Sequence, residues 1–179
     1  MHLEALAQIK TARRWHAWFA GGPQRETERR YLAALEALAR SLGIAERVRF
    51  LGQRKDVPSL MAAADIFCQP NMGPEPFGVV FIEAMQARLP VVSTAMGGPL
   101  ETVSASTGLL PKADAGEVAR ALTTLIEDDP VRARLGAAGP ARAKQFTDPD
   151  QQMKDLVVAL REPAARGDSR RRRSVATPW

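Results

Sequence analysis

The chain has 179 residues, 45% hydrophobic and 25% charged, the make-up of one soluble globular domain large enough for a proper core. Its net charge of +5 does not describe a basic surface: residues 161–179 hold six arginines against Glu162 and Asp168, a net +4, which leaves the remainder at +1. With Cys68 as its one cysteine the chain can form no internal disulfide, no apolar run nears the ~20 residues of a membrane span, and MHLEALAQIK has no secretory pattern, so a cytoplasmic protein is expected.

In chain order, the start reads as a helix and "HAWFAG" as a short strand ending at Gly21-Gly22. Residues 25–42 read as a helix with Tyr31, Leu35, Leu38 and Leu42 on one face and Gly43 just past its end. "RVRFLG" is a strand, and Asp56 caps a short helix over "DVPSLMAAA". "DIFCQP" is a strand stopped by Pro70, with Cys68 a small buried residue in it. A helix over about 78–88 follows, then the strand "PVVST", and a helix that begins at Gly98-Pro99. "GLL" is a last short strand. Asp114 and Glu117 have capping-box spacing at the head of a helix running to about Asp128. Asp129-Pro130 and Asp148-Pro149 open two more helices. From Pro163 onward the composition predicts disorder, so the domain is set at 1–160 and an Arg-rich tail at 161–179.

Strands alternating with helices of this length imply βαβ units and a Rossmann-like parallel sheet flanked by helices, an α/β fold of about five strands. Ligands of such sheets bind beyond the carboxyl ends of the strands, at helix N-termini. Two loops are expected there, at 71–78 and 95–99. The first carries "EPFGVVFIEAM", in which Glu75 lies in the loop and Glu83 about a turn and a half into the helix. Gly78 admits close approach of a ligand, and the amides near 77–80 offer donors and positive dipole to a phosphate or hydroxyl. Carboxylates accept paired hydrogen bonds from vicinal diols, so two acids around such a backbone suit a ligand with two polyol ends joined by phosphates, the shape of a nucleotide sugar. On spacing alone, the ordinary reading stands ahead: an exposed helix glutamate and a Glu-Pro turn.

The segment "EPFGVVFIEAM" resembles the E-x7-E segment of retaining glycosyltransferases of GT-B architecture, family 4. "RVRFLGQRKDVPSLMAAADIFCQPN" before it, and "LPVVSTAMGGPLETV" and "TGLLPKADAGEVARALTTLIEDD" after it, are similar to the flanking pieces in the family's order. The likeness covers about 3–146 and only the C-terminal, donor-binding half. It implies that Glu75 is an acid that contacts the transferred sugar's hydroxyls, near the reacting carbon. It also implies that the amides of Phe77, Gly78 and Val79 bond sugar and phosphate, and that Glu83 holds the ribose. Gly52 and Arg54 would approach the base, and Gly97 and Gly98 would form the second loop. The partners it implies are a nucleotide-sugar donor, a hydroxyl acceptor and an acceptor-binding N-terminal half; no cofactor or metal is implied. Arg88 stands where the family has glycine and reads as an exposed helix end. The family's central first strand has no counterpart before Leu3. The sheet must therefore pair "HAWFAG" with "DIFCQP", borrow a strand, or pack loosely with apolar surface exposed.

Other patterns carry blander readings. Asp148-Pro149-Asp150 spells a metal-binding D-x-D but reads as a helix cap. His2 and His16 lack metal-ligand spacing. Arg166-Gly167-Asp168 is a chance tripeptide. Arg170–Arg173 could touch anionic lipid at a membrane surface; a nucleic-acid partner is not expected. Lys10, Arg13 and Arg14 are outside the context of the family's diphosphate-gripping residues. Two rivals to the enzyme remain: a non-catalytic nucleotide-sugar-binding module or truncated fragment, and an interaction protein acting through the tail.

Overall fold

A computed structural model describes residues 1–161. In chain order it forms α1 (His2–Ala7), β1 (Ala17–Ala20), α2 (Glu26–Ser41), β2 (Val48–Gly52), α3 (Val57–Ala62), β3 (Phe67–Gln69) and α4 (Val79–Gln86). It continues with β4 (Val91–Ser93), α5 (Pro99–Thr102), β5 (Gly108–Leu109), α6 (Ala115–Glu127), α7 (Asp129–Thr147) and α8 (Pro149–Arg161). The chain divides into one unit over Met1–Gln145 and a second from Phe146 onward. The predicted disorder, the Arg166-Gly167-Asp168 tripeptide and the Arg170–Arg173 run lie outside the described residues.

All strand pairs are parallel, as the alternation of elements requires. They form two sets, β1–β2 and β3–β4–β5. Of the three arrangements open to the sheet, direct pairing of "HAWFAG" with "DIFCQP" is not made among the described residues. β4 is the innermost strand: Val91, Val92 and Ser93 are all fully buried. Successive side chains of a strand face opposite ways. Val92 accordingly joins the cluster of Leu3, Leu6, Val118, Leu122, Leu125 and Leu135, to which α1, α6 and α7 contribute. α4 packs against β4 with Phe81, Ile82 and Met85 buried.

Four local expectations are corrected. The apolar stripe of α2 is only half covered: Tyr31 is 66% exposed, and with Leu35, Leu38, Leu3 and Phe19 it lines a cavity of about 230 Å³. Asp56 does stand at the head of α3, but its carboxylate does not cap. Arg54 takes it in a bidentate pair, Nε to Oδ1 at 2.8 Å and Nη2 to Oδ2 at 2.6 Å. At α6 half of the capping box forms: Asp114 accepts the Glu117 amide at 3.0 Å, while the Glu117 carboxylate pairs with Arg120 one turn on. Arg88 is exposed as expected, yet it is not an ordinary helix end, since its φ of +61° lies in the left-handed region.

Asp148 accepts the Gln151 amide at 3.1 Å, with Pro149 opening α8 and Asp150 in its first turn, so this segment is a helix cap as read. Arg13 donates to the Ile126 carbonyl and to the Asp129 carboxylate, tying the segment before β1 to the junction of α6 and α7.

Candidate functional site

The carboxyl ends of β3 and β4 are laced together by buried hydroxyls. Ser93 donates to the Gln69 carbonyl at 2.9 Å. Thr94 donates to the Asn71 carbonyl at 2.7 Å and accepts the Asn71 amide at 3.1 Å. These bonds start the two loops side by side. The loops then meet: Glu75 and Gly97 form a parallel bridge, and the Gly98 amide donates to the Glu75 carbonyl at 2.6 Å. A Cβ on Gly97 would lie 2.4 Å from the Glu75 carbonyl oxygen, and one on Gly98 would lie 2.4 Å from that of Phe77. Only glycines permit backbones this close, and Gly97, at φ +68°, is also in the left-handed region. Behind the junction the Thr102 hydroxyl donates to the Gly98 carbonyl at 3.0 Å, and Arg142 on α7 donates to the carbonyls of Thr102 and Glu101 at the end of α5.

The structure thus brings Glu75, Phe77, Gly78, Gly97 and Gly98 together. Gly78 precedes α4 with φ +81° and no side chain caps the helix, so the first-turn amides of Val79 and Val80 have no acceptor within it. Val79, Glu83 and Gln86 recur at helical spacing on the exposed face of α4, opposite Phe81, Ile82 and Met85. Glu75 is half-buried and Glu83 exposed, and neither carboxylate has a hydrogen-bond or ion-pair partner among the described residues. Gly52 ends β2 in the left-handed region, where it pairs with Gly21. Arg54, two residues on, is exposed, and its bond to Asp56 raises its own pKa and lowers that of the carboxyl. Among the described residues Gly52 bonds to Gly21 and Arg54 to Asp56, and no hydrogen bond or ion pair joins either to the two loops.

Ser93, Thr94 and Thr102 were missed as framework residues, and the signal for two of them was present: polar residues closing the apolar run "PVVST" at the carboxyl end of a strand. The Asn71 side-chain amide nitrogen is buried there without a protein acceptor. A separate cavity of about 520 Å³, lined by Arg13, Thr124, Glu127 and Asp128–Pro130, includes none of the predicted residues. Among the described residues no group of three or more His, Cys, Asp or Glu is arranged to hold a metal, and no helix is long and apolar enough to cross a membrane.

A parallel α/β sheet with a junction of two glycine-dependent loops at its carboxyl ends defines a domain of the GT-B glycosyltransferase fold. The chain belongs to the family of glycosyl transferases group 1, matched over residues 1–142. It is 42% identical over 114 residues to a D-inositol 3-phosphate glycosyltransferase of Corynebacterium diphtheriae, covering 62% of this chain and 26% of that protein. It is 37% identical over 108 residues to a phosphatidyl-myo-inositol mannosyltransferase of Mycobacterium leprae, covering 58% and 29%. Among solved structures, Anabaena HepE in complex with UDP and glucose superposes with a TM-score of 0.78 at 34% identity, covering 88% of this chain and 43% of that one. Sucrose-phosphate synthase of Thermosynechococcus elongatus gives 0.75 at 30%, covering 89% and 42%. The chain therefore spans less than a third of these curated relatives and less than half of these structures.

Proposed function

We propose that this chain is the donor-binding part of a retaining glycosyltransferase and that its ligand is a nucleoside-diphosphate sugar. The observation that carries the reading is the Glu75–Gly97/Gly98 junction beside the uncapped start of α4. It sets a carboxylate-bearing loop next to amides that suit a diphosphate. UDP and UDP-glucose in the HepE structures support this ligand class. Glu75 orients the transferred sugar and supports positive charge at its anomeric carbon. Glu83, one helical turn along the exposed face from Val79, accepts the ribose hydroxyls. The leaving diphosphate gains charge in the transition state, and the first-turn amides of α4 stabilise it without a metal. The bond from the anomeric carbon to the diphosphate breaks and the acceptor oxygen bonds to that carbon on the same face, its proton passing to the departing phosphate oxygen, which keeps the anomeric configuration.

Turnover requires an acceptor site. Since the chain spans 43% of HepE, the specific alternative is a donor-binding part that acts only with a further polypeptide. Calorimetric titration of the full chain with UDP-glucose and with GDP-mannose, in a chelator, tests the ligand class. Saturable binding of one of them that persists in the chelator is expected. Binding of neither, or binding only with added manganese or magnesium, would overturn the metal-free donor site.

A further inference from the structure

One buried donor at the loop junction has no protein partner. The buried hydroxyls of Ser93, Thr94 and Thr102 each donate to a carbonyl. Asn71 stands two residues past the end of β3 and opens the loop that carries Glu75. Thr94 takes both its main-chain amide and its carbonyl, so the Asn71 backbone is fixed and its side chain is the part left to turn. The Nδ2 of that side chain is buried without a protein acceptor. Among the described residues the other such nitrogen, Trp15 Nε1, precedes β1 and belongs to neither loop. A side-chain amide nitrogen carries two donors, and native proteins rarely bury one unpaired. Just beyond Asn71 the loop is open: Met72 is 79% exposed, and a Cβ on Gly73 would meet nothing within 4 Å.

We propose that Asn71 is a specificity residue for the transferred sugar: when the site fills, its side-chain amide turns to donate to a sugar hydroxyl oxygen. The inference rests on the nucleoside-diphosphate-sugar reading above. A sugar hydroxyl both gives and takes a hydrogen bond, whereas an ionised Glu75 carboxylate only accepts. A hydroxyl that donates to Glu75 therefore needs a donor for its own oxygen. Asn71 carries an unpaired one at the start of the same loop. The amide is neutral, so it adds no charge for the diphosphate and acts on the sugar alone. Leaving the nitrogen buried and unpaired is costly, and the hydroxyl relieves that cost on binding. A site built this way favours a donor that has the hydroxyl over one that lacks it.

The test is titration calorimetry on the full chain and on its Asn71→Leu and Asn71→Ala variants, with thermal melting to establish that each folds. The ligands are UDP-glucose or GDP-mannose, whichever the parent binds more tightly, and the matching bare diphosphate. Leu keeps the size of the side chain without its donors, and Ala serves if the branched group does not fit. Each folded variant should bind the nucleotide sugar about three- to tenfold more weakly and the bare diphosphate as the parent does. A purely structural role for Asn71 would weaken both ligands alike. An equal loss for both, or an unchanged affinity for the nucleotide sugar, would overturn this proposal while the parent's binding leaves the ligand reading standing. Binding of neither nucleotide sugar by the parent would overturn that reading and this inference with it.

Discussion

Arg88 holds a left-handed conformation with its side chain in solvent. That backbone costs a non-glycine residue about 1–2 kcal/mol, part of which glycine returns through the greater freedom of the unfolded chain. Arg88→Gly should therefore raise stability by about 0.5–1 kcal/mol, seen as a higher urea midpoint at unchanged slope. His2 gives a pH signature. Burial, with the N-terminal ammonium adding to it, lowers its pKa from 6.5 to about 4, and its ring lies 4.9 Å from that of Phe19. The unfolded chain takes up a proton below pH 6.5 that the folded chain refuses until about pH 4. This contribution is complete above 6.5 and is lost as pH falls toward 4. His2→Phe should flatten the stability profile in that window by about 1–3 kcal/mol relative to the parent; an unchanged difference between the two chains across the window would contradict it.

At the scale of elements, the loop junction depends on groups far apart in sequence. Thr94 serves both the amide and the carbonyl of Asn71, so Thr94→Val should cost about 1–3 kcal/mol by leaving two part-buried groups without this partner, read as a lowered Tm. Gly98→Ala drives a methyl into the Phe77 carbonyl and should cost about 2–3 kcal/mol while weakening donor binding as the loops part. Much at this scale was legible. Alternating apolar runs and amphipathic stretches marked the strands and helices, and Asp114 and Asp148 announced their caps because capping is decided within three residues. Asp56 defeated the same rule because Arg54 offers its carboxylate a charged bidentate partner two residues away. Glu75 and Glu83 were visible as a pattern, but the contact of Glu75 with Gly97 and Gly98 joins residues over 20 positions apart, and no local periodicity reports it. Tyr31 followed the helical period yet stays in solvent, because periodicity shows which face is apolar and not whether anything covers it.

For the whole molecule, the match over 1–142 shows a group 1 glycosyltransferase domain that spans less than half of the solved structures. The fold does not by itself assign the roles of Glu75 and Glu83, since the same sheet serves many ligands. Those roles separate cleanly when the ligand is offered with and without its sugar. The measurement is calorimetry on the parent chain, Glu83→Ala and Glu75→Ala, each with a nucleotide sugar (UDP-glucose or GDP-mannose, whichever the parent binds more tightly) and with the matching bare diphosphate. Glu83→Ala should weaken both ligands alike, by about 1.5–3 kcal/mol for lost charge-assisted bonds to the ribose. Glu75→Ala should leave the bare diphosphate nearly unaffected and weaken only the intact nucleotide sugar. Equal losses for both ligands in both variants, or no loss in either, would contradict the assignment of the two glutamates to opposite ends of one donor.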